Sequence, residues 1–168
     1  KALHDPDETV LDEELTRAMT PFSQKPGDVT ALRNRLQDVM WEDVGVMRDA
    51  DGLQRGLKRI AEIDDELSSV GVAADNLAFN LSWHDWLNLR SLIDMSMVIA
   101  KAALSRENSR GAHFREDFPD AGAMQESYFT LASGYGDAIS VTRAPVQFTI
   151  VKPGETLLGE DEAETLIK

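Results

Sequence analysis

Three arginines and a histidine, Arg106, Arg110, His113 and Arg115, lie within ten residues of one another, close to the carboxylate of Asp117. Arginine presents a planar fork of donors that pairs with both oxygens of a carboxylate, so the cluster could bind an anion or lock its loop onto an acidic surface. A second interpretation is that the arginines pair with neighbouring carboxylates and cap the preceding helix. Spacing alone leaves both interpretations open.

The other residues that could carry chemistry form no recognisable site. His4, His84 and His113 are far apart in the sequence, and none has a second ligand at metal-site spacing. The chain has no cysteine, which excludes a thiol nucleophile and a disulfide framework, and it has no glycine-rich phosphate loop. The sequence therefore predicts neither a metal site nor a nucleotide site.

The overall charge limits the partners. The chain has 168 residues and 17 Lys plus Arg against 30 Asp plus Glu, which gives a formal net charge of −13. So acidic a surface repels nucleic acid and anionic lipid, and we expect neutral or basic partners and no nucleic acid. The most apolar stretch, residues 92–104, contains Asp94 and Lys101 and is too short to span a bilayer. We therefore expect no direct membrane insertion and a cytoplasmic location.

The apolar periodicity predicts a mainly α fold in which three helices form an up-down, spectrin-repeat-like bundle. We expect three segments: a lead-in over residues 1–27 with one short helix, a helical bundle over 28–119 that ends in the arginine-rich loop, and short strands with an acidic tail over 120–168. The lead-in helix should end at Pro21. Because the chain begins with Lys1, we also expect a fragment of a longer protein.

Local signals add detail within the bundle. Asp28 should cap the first bundle helix, and Asp51, with Gln54 three residues later, should cap the second. The third bundle helix should run from about Ser82 to Arg106. It carries an aliphatic and methionine stripe that we expect in the core: Leu92, Met95, Met97 and Ile99.

The last third of the chain contains strand-like patterns. Residues 127–131 and 138–142 should form two strands joined by a turn at 134–137, and the alternating segment 146–151 should form an edge strand. The closing unit is then either a β-hairpin or a three-stranded sheet.

Two segments resemble a known family. Residues 102–119, with the sequence AALSRENSRGAHFREDFP, are similar to the signature near the C-terminus of the flavoprotein subunits of succinate dehydrogenase and fumarate reductase, a family that includes L-aspartate oxidase. Residues 36–48, followed by Gly52 and Leu53, resemble the family's segment before its second bundle helix. The chain differs from the family at Asn108, where a glutamate usually precedes Ser-Arg-Gly.

The resemblance implies a C-terminal helical domain that follows a larger FAD-binding domain and a mobile capping domain in one chain. It implies FAD in the full-length protein but not on this fragment, and no catalytic residue here. The loop residues would be docking anchors, toward the flavin domain or an iron-sulfur subunit: Arg106, Arg110, His113, Arg115 and Asp117. The full enzyme would interconvert succinate and fumarate. If partner subunits attach it to a membrane, it would lie at the cytoplasmic face.

Two alternatives remain open. The chain could be the C-terminal domain of L-aspartate oxidase or a related flavoprotein. It could also be a free-standing acidic helical module that serves only in protein interaction.

Overall fold

The computed structural model describes residues 7–134 and 138–155. Four α-helices follow one another: α1 (Glu8–Met19), α2 (Val29–Glu42), α3 (Ala50–Ser68) and α4 (Leu81–Ser105). Four short strands are interspersed: β1 (Met47–Arg48), β2 (Phe114–Arg115), β3 (Tyr128–Ser133) and β4 (Ser140–Pro145). Short 3-10 helices occupy Thr20–Phe22 and Met124–Glu126.

Helices α2, α3 and α4 pack against one another in the predicted bundle. Helices α2 and α3 run antiparallel, because Arg35 near the middle of α2 pairs with Glu66 near the end of α3, whereas Arg59 in α3 pairs with Glu42 at the end of α2. The mainly α fold with a small C-terminal sheet is confirmed. The bundle core is built from one apolar stripe of each helix: Leu32, Leu36 and Val39; Leu53, Ile60, Ile63 and Leu67; Trp86, Leu89, Ile93 and Ala100.

The helix caps confirm one prediction and correct another. The Asp28 carboxylate accepts from the Ala31 N–H at 2.9 Å and caps α2 as predicted. The cap of α3 is Asp49, which accepts from the Gly52 N–H at 2.6 Å, and the assignment to Asp51 was wrong. Asp49 has the extended backbone of an N-cap residue. Asp51 lies in the first helical turn, where its negative charge interacts favourably with the helix dipole.

Helix α4 buries a narrower stripe than predicted. Met97 is buried, but Leu92, Met95 and Ile99 are 46%, 57% and 43% exposed, so the assignment of all four to the core was wrong. The helix turns a different face to α2 and α3, the one carrying Leu89, Ile93, Ser96, Ala100 and Ala103. The face of α4 that carries Leu92, Met95 and Ile99 is therefore apolar and is not covered by any part of the described chain.

The lead-in helix α1 ends at Met19, two residues before Pro21, as predicted, and Pro21 lies in the 3-10 turn Thr20–Phe22 that follows. None of its residues is buried. It is attached at its C-terminal end, where the indole N–H of Trp83 donates to the Ala18 carbonyl at 2.8 Å. The Phe22 ring packs edge-on against Trp83 with 5.3 Å between ring centroids.

The C-terminal unit is an antiparallel hairpin of β3 and β4, paired from Tyr128 with Pro145 to Ser133 with Ser140. The predicted strand over 146–151 was wrong, because only the Val146 N–H joins the hairpin, by donating to the Ser127 carbonyl at 2.9 Å. Ile150 is 81% exposed, so the alternation there faces no core. Residues 135–137 of the predicted turn and the tail from 156 lie outside the described residues.

No helix within the described ranges is long and apolar enough to cross a membrane.

Candidate functional site

Arg115 lies at the centre of the arginine-rich loop and is only 1% exposed. Its Nη1 donates to the carbonyls of Ala103, Leu104 and Arg106 at 3.1, 3.2 and 2.9 Å, at the end of α4 where carbonyls lose their α-helical donors. The Ala103 carbonyl also accepts the Arg106 N–H at 3.2 Å. Arg115 therefore caps the helix C-terminus from a position nine to twelve residues downstream.

The other side of the Arg115 guanidinium holds Asp117. The Nε and Nη2 atoms of Arg115 each lie 2.7 Å from one carboxylate oxygen of Asp117, a bidentate pair. This pairing lowers the pKa of Asp117 to about 2 and raises that of Arg115. Asp117 also accepts the Ala50 N–H at 3.0 Å, so the pair ties the loop to the first turn of α3.

A two-residue parallel ladder joins the loop to the segment before α3. Met47 and Arg48 of β1 pair with Phe114 and Arg115 of β2, and the Glu116 N–H donates to the Arg48 carbonyl at 2.7 Å. Strands this short carry no periodicity, so no pattern in the sequence predicts this contact.

His113 is buried beneath this ladder. Its Nδ1 lies 2.9 Å from Nη1 of Arg48, and because a guanidinium only donates, Nδ1 must accept and the ring is neutral with its proton on Nε2. The Nε2 atom has no hydrogen-bond partner among the described residues. Burial lowers the pKa of His113, and the positive charges of Arg106 and Arg48 lower it further, while the Arg106 carbonyl acts in the opposite direction.

Arg110 holds the start of the hairpin. Its guanidinium donates to the carbonyls of Ala121 and Ala123 and to the Ser127 hydroxyl, at 2.8 Å for Ala123 and 3.0 Å for Ser127. Its backbone also exchanges two hydrogen bonds with His113 around Gly111, whose φ of 58° favours glycine.

The structure thus brings all five predicted residues into one region, in unequal roles. Arg115 is a helix cap and Asp117 its partner, which agrees with the capping interpretation of the sequence. Arg110 and Arg106 are half-buried, and Arg106 has one long contact, 3.3 Å to the Asn108 side chain. The guanidinium donors of Arg110 and Arg115 are largely used in hydrogen bonds within the chain, so few remain for an external anion.

Sequence reasoning missed Arg48 and a second cluster beside it. The Asp43 side chain is 1% exposed and accepts from Arg55 and Arg59 of α3, both at 2.8 Å. The sign available in the sequence was an acidic residue at the end of α2 followed by two arginines one helical turn apart on α3.

The surface above these buried charges is apolar. Trp41, Val46, Met47 and Phe114 are 80%, 69%, 64% and 38% exposed, and we call these four residues the loop patch. No group of three or more histidine, aspartate or glutamate side chains among residues 7–134 and 138–155 is arranged to hold a metal ion.

A three-helix bundle whose last helix is capped by a downstream arginine defines the class of this protein as a mainly helical bundle domain. Residues 33–157 match the family described as fumarate reductase flavoprotein C-term, and the chain belongs to this family.

Individual relatives agree with that family. The chain is 32% identical over 119 residues to an uncharacterized FAD-dependent oxidoreductase of Methanocaldococcus jannaschii, a match covering 70% of this chain and 21% of the relative. It is 27% identical over 146 residues to the fumarate reductase flavoprotein subunit of Mycobacterium tuberculosis, covering 86% and 25%. The chain therefore spans a quarter or less of the length of these relatives.

The fold is shared with solved structures. Sdh1 of Mycobacterium smegmatis, solved in complex with UQ1, superposes with a TM-score of 0.76 at 29% identity and covers 89% of this chain and 26% of that one. This likeness covers the bundle and the hairpin together.

Proposed function

We propose that this chain is the C-terminal helical domain of an FAD-dependent flavoprotein that interconverts succinate and fumarate. The observation that carries the proposal is the family match over residues 33–157, which contains the bundle from Arg33 of α2 onward and Arg115 with its carbonyl acceptors. The domain would support the FAD-binding and capping domains that precede it.

We infer that FAD is held by the preceding part of the protein and not by this chain. Dinucleotide sites use a parallel sheet whose strand leads through a glycine-rich turn into a helix N-terminus. The parallel ladder of β1 and β2 is two residues long, and the turn before α3 is closed by the Asp49 side chain. The described residues therefore do not fit the cofactor, and no chemical step is assigned to them.

We further propose that the arginine-rich loop docks on the FAD-binding portion through the loop patch. Arg115, Asp117, His113 and Arg110 act as anchors from within, because their bonds hold the loop in one shape. Arg106 is the residue of this set with spare donors for an acidic group of the partner surface. An iron-sulfur subunit is the competing partner for the same surface.

The function is tested on the full-length protein. We expect it to contain FAD and to oxidise succinate with an artificial acceptor or to reduce fumarate. Oxidation of L-aspartate by oxygen would favour the L-aspartate oxidase alternative instead. A protein without FAD and without an upstream dinucleotide-binding sequence would favour the free-standing interaction module.

The docking role is tested separately with Arg110→Ala in the full-length protein. We expect weaker domain docking and faster loss of flavin, because the hairpin start and the loop would separate. The matched control is Arg17→Ala, which removes an exposed arginine of α1 paired with Glu14. Unchanged flavin content and activity in Arg110→Ala would contradict the docking role.

A further inference from the structure

Phe79 is exposed to solvent in an unfavourable backbone conformation that no contact of its side chain within the described residues offsets. Its φ is 56°, and it is the non-glycine residue with positive φ among residues 7–134 and 138–155. The left-handed region is unfavourable for a residue with a Cβ, because the Cβ approaches the following carbonyl oxygen. The Phe79 side chain is 100% exposed, so the ring gains no burial in return.

The conformation of Phe79 is imposed by its neighbour. Asn80 is 3% exposed; its amide nitrogen donates to the carbonyls of Ala74 and Asn76 at 3.1 and 2.9 Å, and its amide oxygen accepts the Trp83 N–H at 3.0 Å. These three bonds close the loop and cap α4 at once. Phe79 is therefore held rigidly outward, as a pre-organised anchor would be.

Other apolar side chains surround this anchor. Leu77 and Leu81 are 58% and 77% exposed on either side of it. Leu77 also lines an open groove of about 430 Å³, together with Met19, Phe22 and Val72. We call Leu77, Phe79 and Leu81 the Phe79 knob.

We propose that the Phe79 knob inserts into an apolar, basic-rimmed pocket on the FAD-binding portion that precedes residue 7 in the same chain. This inference rests on the proposed function, since it requires that upstream portion. It concerns the end of the bundle opposite the arginine-rich loop and is independent of the loop's own docking.

Two observations favour this occupant over a second copy or another subunit. The preceding chain is joined to the knob through a single 12-residue helix, because the C-terminal end of α1 is bonded to Trp83 near the start of α4, and Met19 and Phe22 share the groove with Leu77. The relatives are at least four times as long as the part that this chain matches, so a large body is tethered close to the knob, and tethering raises its effective concentration.

The charge of the helix that leads to the knob indicates what the rim of the pocket should carry. α1 and its cap carry five acidic residues and one arginine: Asp7, Glu8, Asp12, Glu13, Glu14 and Arg17. Asp75 adds a further negative charge within the loop before the knob. An apolar pocket with lysine or arginine at its edge would complement this surface.

The test is photo-crosslinking in the full-length protein with Phe79→p-benzoylphenylalanine. Lys58→p-benzoylphenylalanine is the matched control, because the Lys58 side chain is 80% exposed on α3. We expect a crosslink within one chain, from position 79 to a peptide upstream of residue 7, in clear excess over the control. A crosslinked dimer, a crosslink to another subunit, or a yield equal to the control would each overturn the proposal.

A second measurement separates the ring from the backbone. Phe79→Ala and Phe79→Gly both remove the anchor, but glycine also relieves the positive φ. We expect amide exchange in residues 72–81 of the full-length protein to become faster by on the order of tenfold in both variants, as for loss of an interface anchor. Slower or unchanged exchange in Phe79→Gly would show that the ring docks nowhere.

Flavin content and succinate oxidation are measured on the same samples. A flavin-loaded, active enzyme without the position 79 crosslink overturns the knob proposal and leaves the proposed function standing. A protein that lacks FAD overturns the proposed function, whatever the crosslink shows.

Discussion

The guanidinium of Arg48 donates to Nδ1 of His113 across 2.9 Å, although the two residues are 65 positions apart. This bond joins the turn between α2 and α3 to the loop that follows α4. It also fixes the imidazole as neutral, because the acceptor nitrogen cannot carry a proton while it accepts. A buried histidine between arginines therefore makes the closure of the loop sensitive to acid.

The first prediction concerns pH. The pKa of His113 in the folded chain lies below its ordinary value of 6.5, so the unfolded chain binds the proton more readily. The free energy of unfolding should therefore fall as the pH drops below 6.5, and the effect should be absent above it. Urea denaturation on both sides of pH 6.5 measures it. His113→Gln keeps an acceptor for Arg48 without titrating, and should lack this part of the pH dependence; an identical profile would contradict the prediction.

The second prediction concerns the helix cap. Arg115→Ala should lower the free energy of unfolding by about 3 kcal/mol, because it removes the donor of the Leu104 and Arg106 carbonyls, one of the two donors of Ala103, and the charge partner of Asp117. Arg115→Lys should recover only part of the loss, since an ammonium cannot reproduce the fork. Chemical denaturation provides the comparison. Arg17→Ala, which breaks an exposed pair, should cost less than about 0.5 kcal/mol.

The third prediction concerns the acid limb of stability. Asp117 has a folded-state pKa of about 2 against 3.8 ordinarily, because Arg115 donates to its charged form. Its contribution is fully present above pH 3.8 and is lost as the pH falls through about 2. Asp117→Asn should therefore be less stable than the wild type at neutral pH, by on the order of 1 kcal/mol after allowance for solvent access. The gap between the two unfolding free energies should close in acid, and a constant gap would count against the assignment.

The fourth prediction concerns the contact between α2 and α3. A Cβ on Gly56 would lie 3.0 Å from Asp43 Cβ and 3.1 Å from Val44 Cγ2. Asp43 is held by two arginines and Val44 is buried, so neither can move aside easily. Gly56→Ala should destabilise the chain by about 1 kcal/mol net, although alanine is the better helix former. Thermal unfolding tests this against Gln54→Ala, an exposed position on the same helix, which should change little.

The sequence by itself determined the elements that repeat. The apolar stripes of α2 and α3, the Asp28 cap and the Pro21 stop are local signals, because helix periodicity and capping act over a few residues. The segment 109–113, with the sequence SRGAH, is contiguous, so the sequence alone was enough to show the family resemblance.

Only the tertiary structure decided which partners the buried polar residues bind. Arg115 was recognisable as a cluster member, but its use as the cap of α4 depends on the chain folding back by nine to twelve residues. The partnership of Arg48 with His113, the Asp43 cluster and the exposed side of α4 depend on which helix faces which. Such contacts join residues distant in sequence, and their energies come from burial and geometry that no local pattern encodes.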